Sequence, residues 1–94
     1  MEIGAQEALG IVETRGTVTA AEALDAMSKA TNVRFMGQRN TGAGIVAVII
    51  AGDLAAVRVA TDAAVERARR VGEVVAVTVM PRPSSDVLAM LDGV

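Results

Sequence analysis

Seven consecutive apolar residues, Ile45–Ala51, five of them β-branched, most constrain what this chain can become. Glycines bound the run, Gly42 and Gly44 before it and Gly52 after it. A short apolar stretch without polar alternation, closed at both ends by turn residues, is a central strand buried on both faces. The wider uncharged stretch Thr41–Gly52 falls well below the roughly 20 residues of a membrane span. Met1-Glu2-Ile3-Gly4 lacks the basic and apolar regions of a signal peptide. A soluble, unexported chain is therefore expected.

The flanking segments supply the partners of that strand. Ala8–Thr14 reads as a first strand, turned by Arg15-Gly16. Thr19-Ala20-Ala21-Glu22 has capping-box spacing, and the helix it opens starts there or a residue or two earlier, at Thr17. That helix runs to about Ala30, with Ala20, Leu24 and Met27 on one stripe. Val33–Gln38 is a second strand, Arg39–Gly44 a turn, and Ile45–Ala51 the third strand. Asp53 is placed to cap a long helix over Leu54–Val71, on which Arg58 with Asp62 and Glu66 with Arg70 are i,i+4 pairs of opposite sign. Gly72 is expected as its left-handed C-terminal cap. Val74–Met80 is the last strand, stopped by Pro81-Arg82-Pro83, and Ser84 or Ser85 caps a short helix over Asp86–Leu91.

The order β-α-β-β-α-β with a short C-terminal helix predicts an α+β chain of the split-βαβ, ferredoxin-like plan: a four-stranded antiparallel sheet with helices packed on it. Residues 1–94 are read as a single domain, with a core over 8–83 and a short helix and tail over 84–94. The halves are a topological repeat without sequence self-similarity.

Composition removes most chemistries. The chain has no Cys, His, Trp or Tyr, and Phe35 is its one aromatic residue. Thiol enzymes, Ser-His-Asp triads, zinc fingers and disulfide frameworks all lack their parts. A net charge of −2 and one Phe argue against a nucleic-acid binder, which needs a basic field or stacking surfaces. The eleven Asp and Glu residues fall into caps, ion pairs and exposed helix faces, with no base or nucleophile beside them. Arg67, Arg69 and Arg70 read as a solvated helix end that suits the macrodipole. The methionines other than Met1 are expected to fill core gaps. No catalytic residue, cofactor site or metal site is expected.

The surplus is apolar: 52 % of the residues, with a mean hydropathy of +0.45. A folded monomer of this size exposes on the order of 5,000 Å², and few charged residues exist to cover it. Self-association is the economical answer.

Gly42-Ala43-Gly44 lacks both the third glycine of a dinucleotide fingerprint and the Lys-Ser/Thr of a phosphate loop, and it opens a strand rather than a helix. It is a hairpin turn needing positive φ. In several copies around an axis, it would also point small residues and backbone N–H groups into a narrow opening.

Fragments spread along the chain form an ordered set: Leu9–Gly16, Asp25–Val33, Gly52-Asp53-Leu54, Ala60–Ala63, Arg70–Val75 and Pro81-Arg82-Pro83. Together they resemble the bacterial microcompartment shell proteins, in the unpermuted form with a single shell (BMC) domain. The resemblance implies a ferredoxin-like variant, cyclic homohexamers that tile laterally into a shell in the bacterial cytoplasm, and no catalysis. It implies partners too: further copies, other shell proteins, encapsulated enzymes, and small metabolites crossing a central pore, with no nucleic acid and no membrane. Pore-lining positions would be Arg39, Asn40, Thr41, Gly42, Ala43 and Gly44. Ala43 stands where the family usually carries Ser, and Asn40-Thr41 where a Lys-Ile pair is common. Lys29, Asn32 and Arg82 match the hexamer–hexamer edge, with Ser84 in place of the usual His after the second proline. The competing reading is a ferredoxin-like ligand-sensing regulatory domain that acts as an oligomer; an enzyme ranks third.

Overall fold

Period-two alternation is missing from the central strand because both of its faces are covered. The computed structural model describes residues 1–30 and 32–92. Thr31, part of the Asp25–Val33 fragment, and Gly93-Val94, the end of the 84–94 tail, lie outside the described residues. The elements are β1 (Ala8–Arg15), α1 (Thr17–Ser28), β2 (Val33–Gly42), β3 (Ile45–Gly52), α2 (Leu54–Ala68), β4 (Val74–Met80) and α3 (Ser85–Asp92). One sheet has the order β2-β3-β1-β4, with every neighbouring pair antiparallel. Each βαβ crossover therefore skips one strand, which is the expected split-βαβ plan. The accessible surface is 5122 Å², in line with the scaling expected for a chain of this mass. No helix among the described residues is long and apolar enough to cross a membrane.

The two faces of the sheet carry separate cores. On one, Ala8 and Val12 of β1 and Val46, Val48 and Ile50 of β3 pack against Ala20, Ala23 and Met27 of α1 and Val57, Ala60, Ala64 and Ala68 of α2. Alanines line both helices, so the helix backbones approach the sheet and each other closely. Gly10 extends this logic, since a Cβ there would lie 2.8 Å from Val57 Cγ1. On the opposite face Leu9, Ile49 and Ala51 are buried under Met1, Ile3, Met36, Met80, Leu88 and Leu91. Here α3 and the N-terminal segment are the cover. The two-sided burial expected of Ile45–Ala51 is thus met by unlike layers.

Several local expectations give way to tertiary packing. The capping box is not used: α1 starts at Thr17 behind Gly16, without a side-chain cap bond, and Thr19 is buried inside the helix. Its hydroxyl instead faces Gly72, where a Cβ would fall 2.1 Å from Thr19 Oγ1. Gly72 is absent from the positive-φ glycines, so close approach of the chain, rather than a left-handed cap, requires glycine there. Helix α2 ends at Ala68, three residues before the expected Val71, and Asp53 makes no side-chain cap bond. Among the described residues Glu66 pairs with Arg70 at 3.0 Å, whereas Arg58 and Asp62 do not pair. Of the two serines offered as caps for α3, Ser84 is the one used, its Oγ accepting from Val87 N at 3.3 Å. Met27, Met36 and Met80 fill core positions, but Met90 is exposed.

Candidate functional site

The loop between β2 and β3 is shorter than expected. β2 continues through Gly42, leaving Ala43-Gly44 as a two-residue turn. Three successive residues have positive φ: Gly42 at 91°, Ala43 at 55° and Gly44 at 76°. Positive φ at both central positions matches the twist of a tight hairpin, and Ala43 accepts it at a cost of about 1 kcal/mol because it carries a Cβ. All three residues are exposed.

The turn's hydrogen bonds are lopsided. Gly16 N donates to Gly44 O at 2.7 Å, and Arg15 Nη1 donates to Ala43 O at 3.3 Å. Both carbonyls of the turn are thereby held against the corner between β1 and α1. Among the described residues the N–H groups of Ala43 and Gly44 donate to nothing. Asn40, Gly42 and Gly44 border a hollow of about 330 Å³ with Gly16, Thr17, Ile45 and Val46. Thr41, exposed, donates from Oγ1 to Ile45 O at 3.4 Å. Arg39 is placed elsewhere: it is half-buried, with Nε donating to Leu91 O at 3.3 Å and Nη1 to Gln38 O at 2.8 Å. Its cation sits at the carbonyl end of α3, where a helix dipole favours positive charge.

The other expected site residues lie apart from this turn. Lys29 follows α1 and is exposed, its ammonium 3.0 Å from Asp25 Oδ2. It borders a hollow of about 270 Å³ with Ala26, Ala63, Glu66, Arg67 and Arg70. Arg67 is the hub here, donating from Nε to Glu22 at 2.9 Å and from Nη2 to Asp25. The Lys29 ammonium, then the Arg67 guanidinium, hold the Asp25 carboxyl below its ordinary value. Asn32 takes φ 62°, a conformation Asn tolerates, and borders a separate hollow with Ala30, Asp53, Ala55, Ala56 and Val59. Its carbonyl leaves no room for a Cβ at Gly52, which would lie 2.3 Å away. Arg82 is exposed between β4 and α3 and forms no hydrogen bond or ion pair among the described residues.

Sequence reasoning passed over Arg15, seen only as half of a turn dipeptide, and the Glu22–Arg67–Asp25 bridge. Arg15 meets Ala43 across 28 positions and Arg67 meets Asp25 across 42, and no local pattern announces such pairings. Among the described residues no three His, Cys, Asp or Glu side chains gather as a metal site would require.

Known proteins give this arrangement a context. Residues 8–83 match the BMC domain. The chain is 55 % identical over 86 residues to the bacterial microcompartment shell protein PduA of Citrobacter freundii, covering 92 % of each chain. It is 49 % identical over 80 residues to the shell protein EutM of Salmonella typhimurium, covering 85 % of this chain and 83 % of that one. With the carboxysome shell protein CsoS1 of Prochlorococcus marinus the identity is 44 % over 81 residues, 85 % of this chain and 79 % of the relative. A crystal structure of a microcompartment protein from Desulfitobacterium hafniense superposes with a TM-score of 0.80 at 30 % identity, over 95 % of this chain and 48 % of that one. The present chain spans about half the length of that protein. From the match over the whole β1–β4 unit and the identity to single-domain relatives, the chain belongs to the BMC-domain family, the bacterial microcompartment shell proteins.

Proposed function

We propose that this chain is a structural tile of a microcompartment shell in the bacterial cytoplasm. Copies close into a cyclic homohexamer, hexamers tile laterally with one another and with other shell proteins around encapsulated enzymes, and the chain performs no catalysis. The observation that carries this reading is the placement of uncovered apolar side chains at opposite edges of the sheet. Phe35 on outer strand β2 is 50 % exposed, and Val75 and Val77 on outer strand β4 are 39 % and 42 % exposed. Two unlike edges are what a heterologous ring consumes, since each copy offers one to each neighbour. Two contacts of about 800 Å² each would cover roughly 1,600 Å² per copy, near a third of the 5122 Å² available.

In this reading the Arg39–Gly44 segment surrounds the axis, with Gly42, Ala43 and Gly44 at the constriction and Asn40 and Thr41 behind them. Unpaired N–H groups at the turn favour small polar or anionic metabolites, as backbone nests favour anions. Lys29, Asn32 and Arg82 form the lateral edge, where cationic side chains meeting backbone carbonyls suit contacts that must break and reform during assembly. Among the described residues the hollows at the turn and the edge are open to solvent, which does not favour the regulatory alternative.

Electron microscopy with sedimentation tests the proposal. Purified protein should sediment as a hexamer and form extended sheets or tubes; a monomer in dilute neutral buffer would overturn it. Lys29→Ala should leave hexamers intact and abolish sheets. Normal tiling by that variant would remove Lys29 from the edge.

A further inference from the structure

We propose that Arg15 is the positioning residue that sets the polarity of the β2–β3 turn, turning its carbonyls aside so that it presents donors and a cation to a passing solute. The inference deepens the pore reading and rests on it for its functional half. Arg39 is the obvious cation of the segment by sequence, yet its guanidinium is bound to Leu91 O and Gln38 O at the α3 end of the sheet. Arg15, outside the turn in sequence, is the guanidinium that touches it.

Three contacts define the device. Arg15 Nη1 donates to Ala43 O, Gly16 N donates to Gly44 O, and Arg15 Nε donates to Glu73 Oε1 at 2.9 Å. The backbone repeats the last link, with Arg15 N donating to Glu73 O at 3.0 Å. β1's last residue is thus pinned on one side to the approach to β4 and on the other to the turn. A peptide carbonyl and its following N–H point in opposite senses, so holding Ala43 O toward Arg15 turns the Gly44 N–H away from it. A charged donor on a carbonyl is stronger than a neutral one, and it offsets the left-handed geometry that Ala43 accepts. Glu73 orients the guanidinium and partly neutralises it. With a side chain half-exposed, the remaining field reaches solvent near the turn, and a ring of copies repeats it at every subunit. The chemical class favoured is a small anion such as a carboxylate or phosphate ester.

The test uses Arg15→Gln, Arg15→Lys and Glu73→Gln in the full chain, with two readouts. The first is the carbonyl carbon shift of Ala43 and the amide shift of Gly44, which report the hydrogen bond whether or not hexamers tile. Both should move in Arg15→Gln and stay in Glu73→Gln; unmoved shifts in Arg15→Gln overturn the positioning role. The second is the ratio of acetate to glycerol permeation through assembled layers. That ratio should fall by about twofold or more in Arg15→Gln, persist in Arg15→Lys and rise in Glu73→Gln. An unchanged ratio with moved shifts overturns the selectivity half. A wild-type layer impermeable to both solutes, with the shifts behaving as stated, would sink the pore reading and leave the positioning role standing.

Discussion

The two faces of the sheet are built to different standards. Under α1 and α2 the helices contribute mainly alanine, with Met27 the large exception, every buried member of the core is at most 8 % exposed, and glycines at 10 and 72 sit where a methyl group would collide. On the α3 face, among the described residues, Leu9, Ile49 and Ala51 are the fully buried members. The cover is part-buried: Met1 and Ile3 of the N-terminal segment, Met36 and Met80 of the outer strands, and Leu88 and Leu91 of a helix with no buried residue of its own. Close packing of rigid, small groups makes a face that tolerates no change in volume; a methionine-lined contact adapts. The helix-paired face is therefore the more fully buried of the two, and the α3 face is the one expected to give first.

Substitutions of graded severity put that contrast to the test. Ile50→Ala on the paired face should cost about 3–5 kcal/mol, read from denaturant melts, because its neighbours are too tightly held to collapse into the void. Gly72→Ala should cost about 1–3 kcal/mol by forcing Thr19 and the chain entering β4 apart. Leu91→Ala on the α3 face should cost only about 1 kcal/mol and leave the far-ultraviolet signature of the sheet unchanged. A cost there equal to that of Ile50→Ala would erase the distinction.

The smallest effect is titratable, and each face has its own pair. Asp25 is bridged to Lys29 and Arg67 beside the paired helices, and Glu7 accepts from Arg34 and from Gly4 N, fastening the N-terminal segment to β2. Hydrogen bonds from those cations hold both carboxyls below their ordinary values of 3.8 and 4.5. A carboxyl depressed in the folded state stabilises it above the ordinary value and loses that contribution as pH falls through the folded one. Melting temperature should therefore be flat at neutral pH and decline gently below about pH 4. Arg34→Gln should remove only the share belonging to the α3 face, leaving the Asp25 share in place.

Much of this was legible in the sequence. Ile45–Ala51 announced a two-sided strand, the element order fixed the split-βαβ topology, and the ordered fragments pointed to the family that 8–83 matches. What stayed hidden was set by partners distant in the chain. Thr19 looked like a helix cap because Glu22 follows at the right spacing, but the approach of Gly72, 53 positions on, draws its hydroxyl into the core. Arg39 was expected at the pore as the first residue of the Arg39–Gly44 turn, but β2 continues past it as a strand and α3 lies within its reach. For the site, the glycines of the turn were readable from local rules; the Arg15 contact that decides which way its peptides face was not.

β3 carries no exposed residue along its length, so a change at any of its positions is felt in one packed layer or the other. The outermost strands enter the same two layers only in part, through Val33 and Met36 of β2 and Val74, Val79 and Met80 of β4, and leave Phe35, Val75 and Val77 uncovered. If copies adjoin along these strands as proposed, substitutions in β2 and β4 would retune which copies fit side by side, whereas substitutions in β3 would be felt first as lost packing.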